Sequence, residues 1–283
     1  MIQNSHGKCY YNSMKFDYIV ADPTGNITVL VTSPYTPDDR QEIIRAAFER
    51  EPDCEQVGFV MHDSEDPGKI HLEMMGYEFC GNAALSSAAW QAYLEGIGVG
   101  EEREIIIDSS GVDAPLSISV RRLDDHYSSD PSGQAQPAFE GTVKMPVPRI
   151  GSVMLADSGG TRSAYPIVHL DGISHIIVQS GALSQEAAES AIRHLAEEMG
   201  IPALGIMLCS EADEHSIHVR PLVYVRGSDT LVWESGCASG STAVGWYLNR
   251  SYTDVIQPGG TIRITICDGH PYLTGKIVLR KTR

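Results

Sequence analysis

Two stretches of the chain place a cysteine at the mouth of a small-residue turn. YEFCGNAALSSAAW, residues 77–90, carries Cys80 ahead of Gly81, Asn82 and Ala83. ESGCASGSTAVGWYL, residues 234–248, carries Cys237 ahead of Ala238, Ser239 and Gly240. Both run on into apolar, helix-like segments. A cysteine just before a helix meets unpaired backbone N–H groups and the positive end of the helix dipole, which favour negative charge. A thiol there is drawn from its usual pKa of about 8.5 toward the thiolate. The same N–H groups can hold a carboxylate, and small residues let it approach the backbone.

Facing halves would set the two thiols on opposite sides of one cleft, with two helix N-termini pointing into it. An amino acid carboxylate held on both dipoles would leave its Cα between the sulfurs. One thiolate could remove the α-proton while the opposing thiol donates to the other face, which is racemisation without a cofactor. An α-proton beside a carboxylate is very weakly acidic, so the developing enolate needs preorganised donors, each worth about 3–4 kcal/mol when removed. Other uses of the turns fit less well. CASGSTAVG lacks the lysine of a GxxxxGK[ST] phosphate loop. A thiol redox pair more often uses CxxC. A Cys–His nucleophile stays open through His175 in DGISHIIV. The other cysteines, Cys9, Cys54, Cys209 and Cys267, read as small core hydrophobes.

The elements that must position these turns follow a repeated grammar. FDYIVADPTGNITVLVTS gives two strands about a Pro/Gly turn, and PDDRQEIIRAAFER a helix with an acidic first turn. EQVGFVMHD and KIHLEMMG are strands leading to Cys80, residues 81–93 are helical, and EREIIIDSSG and PLSISVRRL are strands again. After the polar DDHYSSDPSGQAQP, the second half gives strands at FEGTVKMPVP, YPIVHLDG and SHIIVQSG. The helix SQEAAESAIRHLAEEMG follows, ended by a glycine. ALGIMLCS, SIHVRPLVYV and TLVWES then deliver the chain to Cys237, and STAVGWYLNR, TIRITICDG and YLTGKIVLR complete the half. This self-similarity implies an internal duplication. The expected domains are 1–124 and 138–271, with 272–283 completing the first and 125–137 forming a loop or linker near the boundary.

Composition narrows the partners. The 283 residues are 42% hydrophobic and 20% charged, as in a soluble globular protein with a proper core. Asp+Glu outnumber Lys+Arg by 37 to 21, a formal charge of −16, which disfavours nucleic acid and anionic membranes. No apolar run reaches the roughly 18 residues of a membrane span. The polar start, MIQNSHGKCYYNSMKFDYIV, lacks a signal-peptide core, which points to the cytoplasm. Six scattered cysteines without a CxxC pair argue against disulfides and structural zinc, so no metal and reduced thiols are expected.

The pair CGN…CASG, one in each half, resembles the diaminopimelate epimerase family of two-cysteine, cofactor-independent racemases. TGNITVLV is similar to that family's GN segment, DGISHIIV falls at its NPH strand, and QPGGTIRI resembles its late PGG turn. CEQVGFV, EFCGNA, RPLVYV and LVWESGCASGS are similar to the histidine racemases of staphylopine-type opine metallophore biosynthesis. The resemblance implies an α/β (α+β) fold of two pseudo-symmetric domains. Each would wrap a sheet around a central helix, with the active site in the interdomain cleft. It implies no cofactor, a homodimer, and catalysis by Cys80 and Cys237. The substrate would contact Asn26, Gly81, Asn82, His175, Ala238, Ser239 and Gly240. VRGSDTLVWESGC departs from the epimerase ERGxGET signature, ISH replaces NPH, and Ala203 stands about where the epimerase has a substrate-binding asparagine. These departures remove groups that would hold the distal end of diaminopimelate.

Glu55 by itself reads as a solvated carboxylate at a strand end, and the resemblance makes it the acceptor for a substrate imidazole N–H or side-chain ammonium. Glu234 reads either as acceptor for the α-ammonium or as a brace of the turn, and Arg226 with Asp229 as a loop ion pair. The expected function is racemisation of L- and D-histidine, the first step of opine metallophore assembly. The alternatives are a racemase of 2,4-diaminobutyrate or diaminopimelate, a single-base isomerase on the same fold, and a non-catalytic amino acid-binding protein.

Overall fold

The computed structural model describes residues 15–62, 69–124, 135–156, 161–179, 181–227 and 229–280. Most of the expected boundary loop, residues 125–134, and Cys9 lie outside them. The first half runs β1 (Tyr18–Pro23), β2 (Thr28–Val31), α1 (Arg40–Arg50), β3 (Gln56–His62), β4 (Ile70–Met74), α2 (Gly81–Leu94), β5 (Glu102–Ser109), β6 (Leu116–Arg122) and β7 (Ala138–Lys144). The second runs β8 (Arg149–Ala156), β9 (Arg162–Leu170), β10 (Ile173–Gln179), α3 (Gln185–Glu198), β11 (Ala203–Glu211), β12 (Ser216–Val225), β13 (Thr230–Trp233), α4 (Ala238–Leu248), β14 (Tyr252–Gln257), β15 (Gly260–Cys267) and β16 (His270–Arg280).

Each helix is a crossover between parallel strands: α1 joins β2 to β3, α2 joins β4 to β5, α3 joins β10 to β11, and α4 lies between β12 and β14. A parallel pair needs such a connection because a tight turn can only reverse the chain. The two kinds of helix differ in composition for a physical reason. The apolar side of α3 buries only Ala188, Ile192, Leu195 and Ala196, so the helix lies on the surface. It is capped by Ser184 Oγ, which accepts from Ala187 N at 3.2 Å, and closed by Gly200 at φ +66°. In α2, by contrast, eleven of fourteen residues are buried. It packs against β1 to β7 and β16, and only alanine, serine and glycine sides let strands approach all round. Its serines avoid a burial penalty by bonding back along the helix, Ser86 Oγ to Asn82 O and Ser87 Oγ to Ala83 O, both at 2.8 Å.

The sheet topology corrects the expected diaminopimelate epimerase-like fold of two pseudo-symmetric domains. All sixteen strands belong to one sheet. Strand β16 alternates Pro271, Leu273, Gly275, Ile277 and Leu279 inward, and at eleven residues it is long enough to serve two neighbours on one edge. Residues 270–274 pair with β15 and residues 277–280 with β1, while β7 occupies the other edge. Strands β1 to β7 with β16 thereby close into an eight-stranded barrel. The sheet continues from β16 through β15, β14, β12, β11, β10 and β9 and ends at β8. One apolar cluster spans both halves, from Leu85 and Phe139 through Met145 to Val244 and Ile264.

Strands β8 and β14 were not among the sequence expectations. Strand β14 turns Thr253, Val255 and Gln257 inward, a mixed polar set that hides its period, and β8 is an edge strand exposing Ile150 and Met154. Cys54 and Cys209 are buried as expected, whereas Cys267, near the end of β15, is exposed. The ion pair expected between Arg226 and Asp229 is instead Arg193 with Asp229, because Asp229 turns back to α3 and Tyr224. Among the described residues no helix is long and apolar enough to cross a membrane.

Candidate active site

Cys80 and Cys237 are the N-caps of α2 and α4. Both have extended backbones, with φ −130°, ψ 109° and φ −116°, ψ 107°. Each sulfur does what a serine or aspartate side chain does at this position, accepting from the N–H three residues on. Cys80 Sγ takes Ala83 N and Cys237 Sγ takes Gly240 N, both at 3.4 Å. The first-turn N–H groups of Gly81, Asn82, Ala238 and Ser239 have no carbonyl within their own helices to bond.

The two first turns abut. A Cβ placed on Gly81 would stand 3.2 Å from Ala238 Cβ, and Asn82 Nδ2 donates to Gly236 O at 3.1 Å. Three glycine turns seal the site. A Cβ on Gly25, at φ +87°, would meet Gly259 Cα at 2.3 Å, and one on Gly236 would meet Thr24 O at the same distance, so neither turn admits a side chain. Gly259 N also donates to Ser235 O at 2.7 Å. The TGN, ESGC and QPGG segments therefore converge although 24 to 260 spans most of the chain.

Asn26 and Glu55 meet at this junction. Glu55 accepts from Asn26 Nδ2 at 2.6 Å through one oxygen and from Ser235 N at 3.2 Å through the other, so it ties the first half to the Cys237 turn. Burial pushes its carboxyl up from the usual range, and these donors oppose that shift. The Oδ1 of Asn26 is buried without a partner among the described residues.

Glu234, partly buried, stands three residues before Cys237 at the end of the strand that leads into the turn. Burial raises its carboxyl to about 7, the negative charge of Glu55 adds to the rise, and the neighbouring Cys237 opposes it. Burial is also the main reason both thiols are raised. Cys80 is pushed up to about 12, with Glu78 and Glu234 adding repulsion against bonds from Ala83 and Asn82, and Cys237 is pushed well up by burial and then by Glu234.

His175 is fully buried. Its Nε2 lies 2.9 Å from Ser239 Oγ, which lies 3.7 Å from Cys237 Sγ, and its Nδ1 has no partner among the described residues. Burial drives its pKa down to about 3, so the ring is neutral. Gly205 makes room for it, since a Cβ there would fall 2.2 Å from Nδ1.

The catalytic and substrate-binding residues expected from the sequence thus lie around the two abutting helix starts, whereas Asp229 lies against α3. Two glutamines were missed. Gln56 Oε1 accepts from Cys80 Sγ at 2.7 Å, while Gln257 accepts from Cys237 N at 2.7 Å and donates to Ser241 Oγ at 2.8 Å. These contacts join residues 16 to 24 apart, and nothing local marks them. A cavity of about 790 Å³ lined by Leu208, His218, Arg220 and Gln257 shares only that glutamine with the site. Among the described residues no group of three or more His, Cys, Asp or Glu side chains is placed to hold a metal ion.

A family model described as the histidine racemase CntK N-terminal domain matches residues 15–275. A histidine racemase of Fusobacterium nucleatum subsp. nucleatum is 30% identical over 271 residues, covering 92% of this chain and 93% of that protein. One from Staphylococcus aureus is 25% identical over 264 residues, covering 90% and 89%. Among solved structures, a phenazine biosynthesis PhzF family protein of Enterococcus faecalis superposes with a TM-score of 0.59 at 13% identity, covering 95% of this chain and 98% of its own. A methylitaconate-delta-isomerase superposes with a TM-score of 0.55 at 10% identity, covering 95% and 94%. At such identities these two share the fold alone. Their likeness replaces the diaminopimelate epimerase-like fold expected from the sequence.

Proposed function

Since the chain belongs to the family of the histidine racemase CntK N-terminal domain, we propose that it interconverts L- and D-histidine with Cys80 and Cys237 as its two acid/base groups. The observation that carries this reading is the abutment of two helix N-termini, each capped by a cysteine sulfur. Free N–H groups of both first turns would receive the substrate carboxylate and the enolate charge that grows on it as Cα loses its proton. The unpartnered Asn26 Oδ1 is suited to the α-ammonium, and Glu55 beside it to an imidazole N–H.

A buried thiol is a poor base unless something takes its proton. Glu234 stands three residues before Cys237 with its carboxyl raised by burial to about 7, where an acid–base group works best. This placement supports a role for Glu234 as proton acceptor, beside the two roles read from the sequence. Both sulfurs are buried, so the substrate enters by parting of the turns that Asn82 and Glu55 tie together. No step draws on a cofactor. A D-histidine product would serve an opine metallophore pathway, the setting implied by the sequence resemblance.

The test uses dialysed, chelator-treated protein with L-histidine in deuterium oxide. The expected result is loss of the Hα signal by NMR together with D-histidine by chiral chromatography. Neither exchange nor inversion, with folded protein, would overturn the reading.

A further inference from the structure

Ser239 stands between the sulfur that caps α4 and a buried ring. Its Oγ lies 3.7 Å from Cys237 Sγ and 2.9 Å from His175 Nε2. A hydroxyl carries one proton, so it donates to only one of these neighbours. Which one is decided on the far side of the ring. His175 on β10 pairs in register with Gly205 on β11, and a Cβ on Gly205 would fall 2.2 Å from Nδ1. In glycine a hydrogen takes that direction, so a C–H points at Nδ1. This suits a nitrogen lone pair and opposes an N–H, which would meet that hydrogen instead of an acceptor. Nδ1 accordingly has no hydrogen-bond partner among the described residues. The neutral ring therefore carries its hydrogen on Nε2 and donates it to Ser239 Oγ, which leaves the Ser239 proton for the sulfur. We propose that the Ser239 hydroxyl is the donor that stabilises the Cys237 thiolate, and that His175 is a positioning residue that turns this donor toward the sulfur through the tautomer Gly205 imposes.

This inference rests on the racemase reading and supplies part of what a buried base requires. Burial and the charge of Glu234 oppose a thiolate at Cys237. Two fixed donors favour it, the Gly240 N–H at 3.4 Å and the Ser239 hydroxyl. Both are in place before the sulfur ionises, and the hydroxyl contact tightens when the sulfur carries charge. No proton passes along the chain, so His175 is neither base nor nucleophile in this arrangement. The residue at the same place in α2, Asn82, is turned to Gly236 O instead, so Cys80 gains no donor from that position.

Two measurements on the substrate-free, full-length protein test this. Ring nitrogen chemical shifts of histidine-labelled protein, assigned by the signal missing from His175→Gln, should place the His175 hydrogen on Nε2. Alkylation by iodoacetamide, resolved by peptide mass spectrometry, reads the thiolate, with Cys80 in the same sample as the control for opening of the site. Ser239→Ala should slow Cys237 about tenfold relative to Cys80, since a hydrogen bond to a charged group is lost. Ser239→Thr keeps the hydroxyl and should stay within about threefold of the wild type. His175→Leu should slow Cys237 as Ser239→Ala does, whereas His175→Gln, whose amide N–H can replace that of Nε2, should lose less. In histidine turnover these losses should fall on kcat and leave KM nearly unchanged. If His175→Leu fails to fold, the tautomer and Ser239→Ala decide the matter. A hydrogen on Nδ1, or Cys237 labelling unmoved by Ser239→Ala, overturns the proposal. The expected tautomer and labelling without racemisation would sink the functional reading and leave this one standing, and racemisation with the hydrogen on Nδ1 would do the reverse.

Discussion

The side-chain amide of Asn82, in the first turn of α2, donates to the carbonyl of Gly236, the residue before Cys237, at 3.1 Å. One hydrogen bond thus spans 154 residues and fixes the start of one helix against the cap of the other. Asn82 is 2% exposed, so its loss leaves a buried carbonyl without a donor. Asn82→Ala should destabilise the protein by about 1–3 kcal/mol in a urea titration. Histidine turnover at a temperature where the variant is fully folded should still fall at least about tenfold, because misplaced groups lose rate steeply. Unimpaired turnover would mean that the bond braces the fold without setting the site.

The cysteine pair predicts its own signature. Cys80→Ser and Cys237→Ser each lose the proton-transfer group on one face, and a serine hydroxyl is too weak an acid to replace it. Both should lose racemisation in both directions, and the double variant should be little worse than either single one. With a β-chloro amino acid, the two variants should release halide from opposite enantiomers. The two-base assignment is falsified if either serine variant racemises near the wild-type rate.

Glu55 carries the prediction on side-chain selectivity. Its two oxygens already hold Asn26 and Ser235, and Glu55→Gln retains the shape while removing the charge. A hydrogen bond to a charged acceptor contributes on the order of 1.5–3 kcal/mol, so kcat/KM for histidine should drop roughly 10- to 100-fold. Steady-state kinetics on several amino acids would show whether histidine suffers most. A uniform loss would assign Glu55 to the junction of the turns alone.

Glu234 makes the pH profile specific. With its carboxyl raised to about 7 by burial, kcat/KM should climb from pH 6 and level off above 7.5 as the carboxylate forms, and Glu234→Gln should erase that limb. The effect on stability has the opposite sign. The unfolded carboxyl titrates near 4.3, so between that pH and 7 the folded state binds more protons, and stability falls as pH rises through this window. The loss is on the order of 3 kcal/mol above pH 7. Urea midpoints at pH 5 and 8.5 should therefore diverge more in the wild type than in Glu234→Gln. The comparison between variants removes the contributions of Glu55 and Glu78, which burial also raises.

The sequence by itself determined what is local. The placement of both sulfurs at helix N-caps was legible because a cap is closed within three residues, from Cys80 to Ala83 and from Cys237 to Gly240. The glycine end of α3 and the inward alternation of β16 are set over similar spans. Tertiary structure alone decided the rest. Alternation says that Leu273 and Ile277 face inward but not which strands lie beside them, so the sharing of β16 between barrel and open sheet, and with it the fold, was misread. The same limit hid Gln56 on Cys80, Ser235 on Glu55 and Arg193 on Asp229. Contacts between residues 24 to 180 apart depend on register and packing, and no spacing in the chain encodes them.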